Sequence, residues 1–166
     1  YVVLQPTDVT RGSRLLAWDV GSDRVTTLAT DMNDVCGQAE PGRDPGQRIV
    51  SVALQSDYRD RGTAVLLGTG TAAGGAAAGH LVRYTLASRK FEDLGEAEKG
   101  WTVARILRSR NADHGPGLVL RSADGTRFRL YALRAKAAVP LNVEGGRELL
   151  AADYGDDGQI RFRAAA

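Results

Sequence analysis

The chain has 166 residues, of which 25% are charged and 43% hydrophobic, and this composition is that of a globular protein rather than a disordered chain. The formal net charge of +2 is too small to predict a nucleic-acid partner. Cys36 is the only cysteine, so no disulfide can form within the chain.

The ratio of 19 arginines to 3 lysines, together with abundant Ala and Gly, is typical of a GC-rich bacterial genome. The first residue is Tyr1 rather than methionine, which is compatible with an upstream signal peptide or lipid anchor. The expectation is therefore a bacterial protein in a periplasmic or secreted location.

The first part of the chain predicts a short strand and a hairpin. The strand is Tyr1–Leu4, and the hairpin pairs Arg14–Val20 with Arg24–Ala29 through the turn-forming triplet Gly21-Ser22-Asp23. Thr30–Gln47 carries several Asp, Gly and Pro residues and predicts a long loop. Loops of more than about 12–15 residues are uncommon in compact domains and are often functional.

The central part of the chain predicts four more strands. They are Arg48–Gln55, Thr63–Gly68, Leu81–Leu86 and Phe91–Leu94. Gly68–Gly79 is too rich in glycine for a stable helix and predicts a flexible loop between two of them. It belongs to an uncharged stretch, Gly62–Val82, whose six glycines and three threonines argue against a membrane-spanning helix, so no transmembrane segment is expected.

The last part of the chain predicts six strands, which brings the total to about thirteen. They are Trp101–Arg108, Leu118–Arg121, Phe128–Leu133, Val139–Val143, Glu148–Tyr154 and Gln159–Arg163. Several strands of the chain are apolar at successive positions, for example Ala64–Leu67. This pattern favours sheets that are covered on both faces over a one-sided sheet, whose strands would alternate.

Three of the predicted hairpins repeat one pattern. When they are aligned, Trp18, Tyr84 and Tyr131 occupy one column, and the first strand of each hairpin follows a basic or imidazole residue. The aromatic residue recurs after 66 and then 47 residues. A period of roughly 40–50 residues with four strands per repeat is that of a propeller blade.

With this repeat, the chain resembles the β-propeller superfamily, and Leu81–Gly95 (LVRYTLASRKFEDLG) is similar to the third and fourth strands of kelch-like and TolB-like blades. The resemblance implies one all-β domain over residues 1–166, built of four-stranded antiparallel blades. The strand count gives about three blades plus partial ones, so the propeller is incomplete or is completed by oligomerisation. A β-sandwich is the alternative fold.

The resemblance implies a binding scaffold more readily than an enzyme, since propellers host many functions. We expect a non-enzymatic module that recognises a protein partner, or a second copy, through loops held on rigid sheets. An accessory subunit of a larger bacterial assembly would fit this role. The candidate partner-binding residues are Asp31, Asn33, Asp34, Arg43, Tyr58, Arg59 and Arg61.

Two acidic turns leave other functions open. Asp153, Asp156 and Asp157 partly match the calcium loops of integrin-like propellers, although Gly155 stands at a ligand position. A calcium-stabilised structural domain is therefore one alternative, and calcium is the only cofactor that the sequence suggests. Residues 122–128 (SADGTRF) look like a shortened Asp-box, a structural turn of sialidase-type propellers. The first alternative function is a propeller-type hydrolase of glycans or esters, with Asp124, His114 or the Asp153–Asp157 cluster near its site.

The sequence singles out no catalytic residue. His80 and His114 are the only histidines, and neither they nor Cys36 lie in the context of a known nucleophile motif. Two histidines without metal-ligand spacing also predict no zinc site.

Overall fold

The structure is a computed structural model that describes residues 1–29, 31–37, 46–56, 63–71, 78–108, 115–134, 137–141, 149–155, 157 and 159–164. It is an all-β protein made of several small antiparallel sheets. The described residues form thirteen strands and one short helix.

The strands lie close to their predicted positions. Their bounds, with that of the helix, are β1 Val2–Leu4, β2 Arg14–Asp19, β3 Arg24–Ala29, α1 Met32–Val35, β4 Gln47–Ser56, β5 Thr63–Thr71, β6 His80–Thr85, β7 Lys90–Glu96, β8 Trp101–Leu107, β9 Gly117–Ser122, β10 Phe128–Arg134, β11 Ala137–Leu141, β12 Leu149–Tyr154 and β13 Ile160–Ala164.

The strands form four small antiparallel sheets, each following the order of the chain. The first sheet contains β1–β3, the second β4–β7, the third β8–β11 and the fourth β12–β13. This arrangement confirms the predicted all-β class with several small antiparallel sheets. No closed barrel is formed by the part of the chain that the structure describes.

Two of the three hairpins aligned in the sequence share their turn geometry. Asp23 and Arg89 precede β3 and β7, and both adopt positive φ angles, of 50° and 54°. The pairs that follow are equivalent, because Trp18 faces Val25 in the first sheet just as Tyr84 faces Phe91 in the second. Residues that are aligned in the two sequences therefore occupy equivalent cross-strand positions in the two hairpins.

Three apolar clusters hold the sheets face to face. The cluster between the first and second sheets contains Leu15, Ala29, Met32, Cys36, Ile49, Val65, Leu67, Val82 and Tyr84. The cluster between the second and third sheets contains Leu66, Leu81, Trp101, Val103, Ile106, Leu118 and Leu120. The third cluster contains Leu107, Val119 and Leu130, against which Ala152 and Ile160 of the fourth sheet pack.

The second sheet is covered on both faces. Leu66 and Leu67 are adjacent in β5 and are 1% and 0% exposed, yet they belong to different clusters. Since successive side chains of a strand point to opposite faces, one leucine faces the first sheet and the other the third. This arrangement explains why the central strands are apolar at successive positions rather than alternating.

Two predicted loops contain regular structure. The first half of the Thr30–Gln47 segment carries α1, because Asp31 provides the side-chain acceptor that begins a helix. β5 continues to Thr71, so the first four residues of the predicted loop Gly68–Gly79 belong to a strand. The prediction failed there because glycine usually weakens a strand, whereas here Gly68 and Gly70 allow β8 to approach closely.

The contact between the second and third sheets also accommodates a charged side chain. Arg129 of β10 places its guanidinium carbon 4.3 Å from the ring centroid of Trp101. The same guanidinium donates a hydrogen bond to Glu98 at 2.6 Å. The aromatic face and the carboxylate together stabilise a cation beside an apolar cluster.

Candidate interaction surfaces

Three of the predicted partner-binding residues lie at α1. The carboxylate of Asp31 accepts hydrogen bonds from the backbone N–H groups of Gly12 at 2.9 Å and Asn33 at 2.8 Å. It therefore caps the helix and ties the helix to the segment before β2. The side chain of Asp34 is exposed.

Asn33 also has a structural role. Its side-chain nitrogen donates to the carbonyl of Thr10 at 2.8 Å, and its oxygen accepts from the backbone N–H of Gln47 at 2.7 Å. These bonds join the first sheet to the start of β4. The other predicted partner-binding residues, Arg43, Tyr58, Arg59 and Arg61, lie outside the described residues.

Of the predicted calcium ligands, Asp153 lies in β12 and Asp157 in the β12–β13 turn, whereas Asp156 is outside the described residues. Asp157 accepts hydrogen bonds from the backbone N–H of Gln159 at 3.1 Å and from Arg161 at 2.6 Å. Among the described residues, no group of three or more His, Cys, Asp or Glu side chains is arranged to hold a metal ion. Calcium binding at this turn stays a prediction.

The Asp-box-like segment forms the β9–β10 turn. Asp124 accepts hydrogen bonds from the hydroxyl of Ser122 at 2.5 Å and from the backbone N–H of Thr126 at 3.0 Å. The hydrogen bond from Ser122 makes the largest contribution to lowering the pKa of Asp124, and the bonds from Thr126 lower it further, to about 2. Asp124 thereby holds the β9–β10 turn together, and the hydrolase alternative that names it stays a prediction. His114 lies outside the described residues.

The most polar part of the interior surrounds His80. The imidazole is 7% exposed, and its Nδ1 atom lies 2.7 Å from Oδ2 of Asp93. Cys36 lies in the cluster between the first and second sheets, where burial, and then the charge of Asp93, raises the pKa of its thiol to about 12. Because the thiolate is the nucleophilic form, Cys36 is held in its unreactive state.

Buried hydrogen bonds connect this region to three strands. The hydroxyl of Thr69 donates to the side-chain oxygen of Gln47 at 2.6 Å and accepts from the backbone N–H of His80 at 2.8 Å. The side-chain nitrogen of Gln47 donates to the carbonyl of Ala78 at 2.8 Å. Sequence reasoning missed Gln47, Thr69 and Asp93, because ordinary polar residues 11–31 positions apart form no motif.

The outer face of the first sheet is apolar and exposed. We use this name for Val2, Leu4, Leu16, Trp18 and Val25, which lie on the side of the sheet opposite to Leu15. Leu4, Trp18 and Val25 are 43%, 49% and 56% exposed. Arg14 and Thr27 lie on the same side, since they pair with Leu4 and Leu16. Apolar residues grouped on one face of a sheet are typical of an interaction surface, whereas single exposed apolar residues are not.

Two of the three aligned aromatic residues, Tyr84 and Tyr131, pack against the sheet that precedes their own. Tyr84 is 5% exposed and belongs to the cluster formed with the first sheet. Tyr131 packs against the cluster formed with the second sheet. Trp18 occupies the same position on the first sheet, where none of the described residues forms a sheet to cover it.

The fourth sheet presents charged rather than apolar side chains on its outer side. Phe162 faces the third sheet, since its ring lies 6.4 Å from that of Phe128. Asp153, Arg161 and Arg163 project from the other side of the fourth sheet. Among the described residues, the outer side of the fourth sheet is therefore charged, whereas that of the first sheet carries exposed apolar residues.

No helix among the described residues combines the length and the apolar character needed to cross a membrane. A scan of the chain against protein-family models finds no match, and a search of the curated proteins also finds none.

Proposed function

We propose that this chain is a non-enzymatic protein-interaction module built of propeller-type blades, which serves as an accessory subunit of a larger bacterial assembly. The repeated unit of four antiparallel strands supports this architecture. So does the stacking, in which each sheet covers one face of the next. A two-layer sandwich would bring two sheets together around one core, whereas three successive clusters favour stacked blades.

The observation that carries the proposal is the exposure of Trp18 on the outer face of the first sheet. Its counterpart Tyr84 is buried by a neighbouring sheet, and Val82, the counterpart of Leu16, is fully buried. Val25 likewise corresponds to Phe91, which packs on the same internal cluster. The outer face thus has the chemistry of an internal blade contact, and the partner is a protein that covers it.

The residue types expected on the partner can be inferred from the contact that covers the equivalent face of the second sheet. There the first sheet and α1 present aliphatic side chains, including Leu15, Ala29 and Met32. We expect the partner to present a similar sheet face with small and aliphatic residues. Tryptophan is enriched among residues that dominate binding energy, so Trp18 is the expected anchor.

The test compares three forms of the immobilised chain for the proteins they retain from a bacterial lysate. Trp18→Asp changes the outer face of the first sheet, and Arg163→Asp changes the charged face of the fourth sheet as a matched control. We expect a protein that binds the wild type and Arg163→Asp saturably, with affinity at least ten-fold lower for Trp18→Asp. Equal retention by all three forms, or no saturable partner, would contradict the proposal.

The predicted loop contacts are tested separately. Replacing Arg59 and Arg61 by Ala should weaken binding of the same partner without lowering the melting temperature, since surface substitutions usually change stability little. Unchanged affinity would remove that loop from the interface and leave the outer face as the binding surface.

A further inference from the structure

The indole of Trp18 is held by a hydrogen bond within its own hairpin. Its Nε1 atom donates to Oδ1 of Asp23 at 3.0 Å, and both side chains are exposed. Trp18 lies in β2, and Asp23 directly precedes β3. Because both residues belong to one hairpin, this bond does not depend on what covers the outer face of the first sheet.

The other carboxylate of this turn, that of Asp19, has a different role. It accepts hydrogen bonds from the backbone N–H of Gly21 at 3.0 Å and from the hydroxyl of Ser22 at 2.7 Å. These two bonds stabilise the turn itself. Asp19 therefore holds the backbone between the strands, whereas Asp23 holds a side chain of the outer face.

The second hairpin shows that this turn does not require an aspartate at the position of Asp23. Arg89 occupies the equivalent place before β7 and adopts nearly the same φ angle, 54° against 50°. The backbone geometry alone therefore does not explain the carboxylate in the first hairpin. The contact that the carboxylate makes in the structure is the one with the indole.

The two hairpins also restrict their aromatic residues by different means. Tyr84 is 5% exposed and packs against Phe91, with 4.7 Å between the ring centroids. Trp18 faces the smaller Val25 and is 49% exposed. Since fewer packing contacts restrict its rotamers, the orientation of the indole depends more on the hydrogen bond.

We propose that Asp23 is a positioning residue for Trp18, whose indole it holds in one orientation before a partner binds. This inference rests on the proposed function, in which Trp18 is the anchor of the interface. Ordering a mobile side chain on binding lowers affinity by about two- to ten-fold, and an indole that is already fixed avoids this loss. It also presents one shape to the partner, which makes Asp23 a determinant of specificity.

The first measurement needs no partner. Two-dimensional NMR of the isotope-labelled full chain detects the Nε1–H groups of Trp18 and Trp101, and Trp18→Phe assigns them. Asp23→Gly removes the carboxylate and tolerates the positive φ angle, whereas Asp23→Asn keeps an oxygen acceptor. Hydrogen exchange at the Trp18 indole should accelerate by about three-fold or more in Asp23→Gly, and should stay near the wild-type rate in Asp23→Asn.

The buried Trp101 is the internal control, because its exchange should be the same in all forms if the fold is intact. Unchanged exchange at Trp18 in Asp23→Gly would overturn the proposal. So would equal acceleration in Asp23→Asn, since the acceptor would then have no part in the protection.

The second measurement determines whether the orientation contributes to binding. The probe is the purified protein that the immobilised wild type retains from the lysate. Asp23→Gly should weaken its binding by about two- to ten-fold. In a Trp18→Phe background the same substitution should have no effect, because the N–H donor is absent.

An equal loss of affinity in both backgrounds, or no loss in either, would overturn the positioning role and leave the proposed function intact. If the wild type retains no protein, the proposed function fails instead, and exchange at the indole alone decides whether Asp23 positions Trp18.

Discussion

Nδ1 of His80 lies 2.7 Å from Oδ2 of Asp93, and the imidazole is almost fully buried. Because a carboxylate accepts hydrogen bonds, Nδ1 carries the proton. His80→Ala should lower the free energy of unfolding by about 1–3 kcal/mol, since the packing of the buried imidazole and its hydrogen bond to Asp93 are both lost. Urea denaturation measures this change.

His80→Asn is the matched variant, because its amide can donate to Asp93 from a similar position. It should retain part of the stability that His80→Ala loses. If both variants lose the same amount, the hydrogen bond contributes nothing beyond the packing of the ring.

The thiol of Cys36 should react slowly in the folded protein. Its pKa is raised from 9.0 to about 12, so at pH 8 the thiolate fraction is about a thousand-fold lower than in the unfolded chain. Labelling with a thiol reagent should therefore accelerate by at least this factor in denaturant. Rapid labelling under native conditions would show that the thiol is neither buried nor protonated.

The same thiol predicts a loss of stability at alkaline pH. The unfolded chain loses the Cys36 proton near pH 9 and the folded chain near pH 12, so ionisation favours the unfolded state between these values. The contribution is complete below pH 9 and declines as the pH rises. The free energy of unfolding should fall more steeply from pH 8 to 10.5 in the wild type than in Cys36→Ala, measured by denaturant titration.

Gly68 is required by the close approach of β8. A Cβ at this position would meet the carbonyl oxygen of Val103 and the hydroxyl of Ser51. Gly68→Ala should therefore destabilise the protein by about 1–3 kcal/mol through overpacking. Gly21→Ala is the control, since its nearest neighbour would be Oδ1 of Asp19 at 3.5 Å, and its effect should stay within about 0.5 kcal/mol. Equal melting temperatures for the two variants would contradict this account.

The stacking of the first two sheets predicts coupling between Leu15 and Leu67. Both are 0% exposed and belong to the same cluster. Each Leu→Ala substitution should cost about 2–5 kcal/mol, and the double variant should deviate from additivity by about 0.5–3 kcal/mol.

Leu130 provides the comparison, because it lies in the cluster between the third and fourth sheets. The pair Leu15 and Leu130 should be additive within about 0.5 kcal/mol. If the Leu15–Leu67 pair is equally additive, these leucines do not share a core.

Sequence reasoning was most accurate where the signal is local. The hairpins and their turns were predicted within one or two residues, as at β3 Arg24–Ala29, because turn chemistry and β-branched residues act over short distances. It was wrong where a long-range contact overrides propensity. Gly68 and Gly70 weaken an isolated strand, yet here they are buried beneath Val103 and Thr102 of a strand more than thirty residues away.

The predictions about the candidate surfaces were limited in the same way, because they depend on contacts between distant residues. Trp18 was recognised as a member of a repeated column, but the sequence alone does not distinguish an exposed member from the buried Tyr84. Partner contact by Asp31 and Asn33 stays a prediction, and in the structure their side chains bind the backbone of neighbouring segments. Composition cannot separate these roles, because the same polar atoms serve a cap or a partner.

The amino-acid sequence by itself determined the strands, their antiparallel pairing into small sheets and the apolar character of both faces of the central sheet, since each depends on neighbouring residues and on the two-residue period of a strand. Only the tertiary structure decided which faces are covered. Stacking buries Tyr84 and Leu67, and leaves Trp18, Val52 and Leu54 in contact with water, because burial depends on which sheet lies opposite and not on the residue itself.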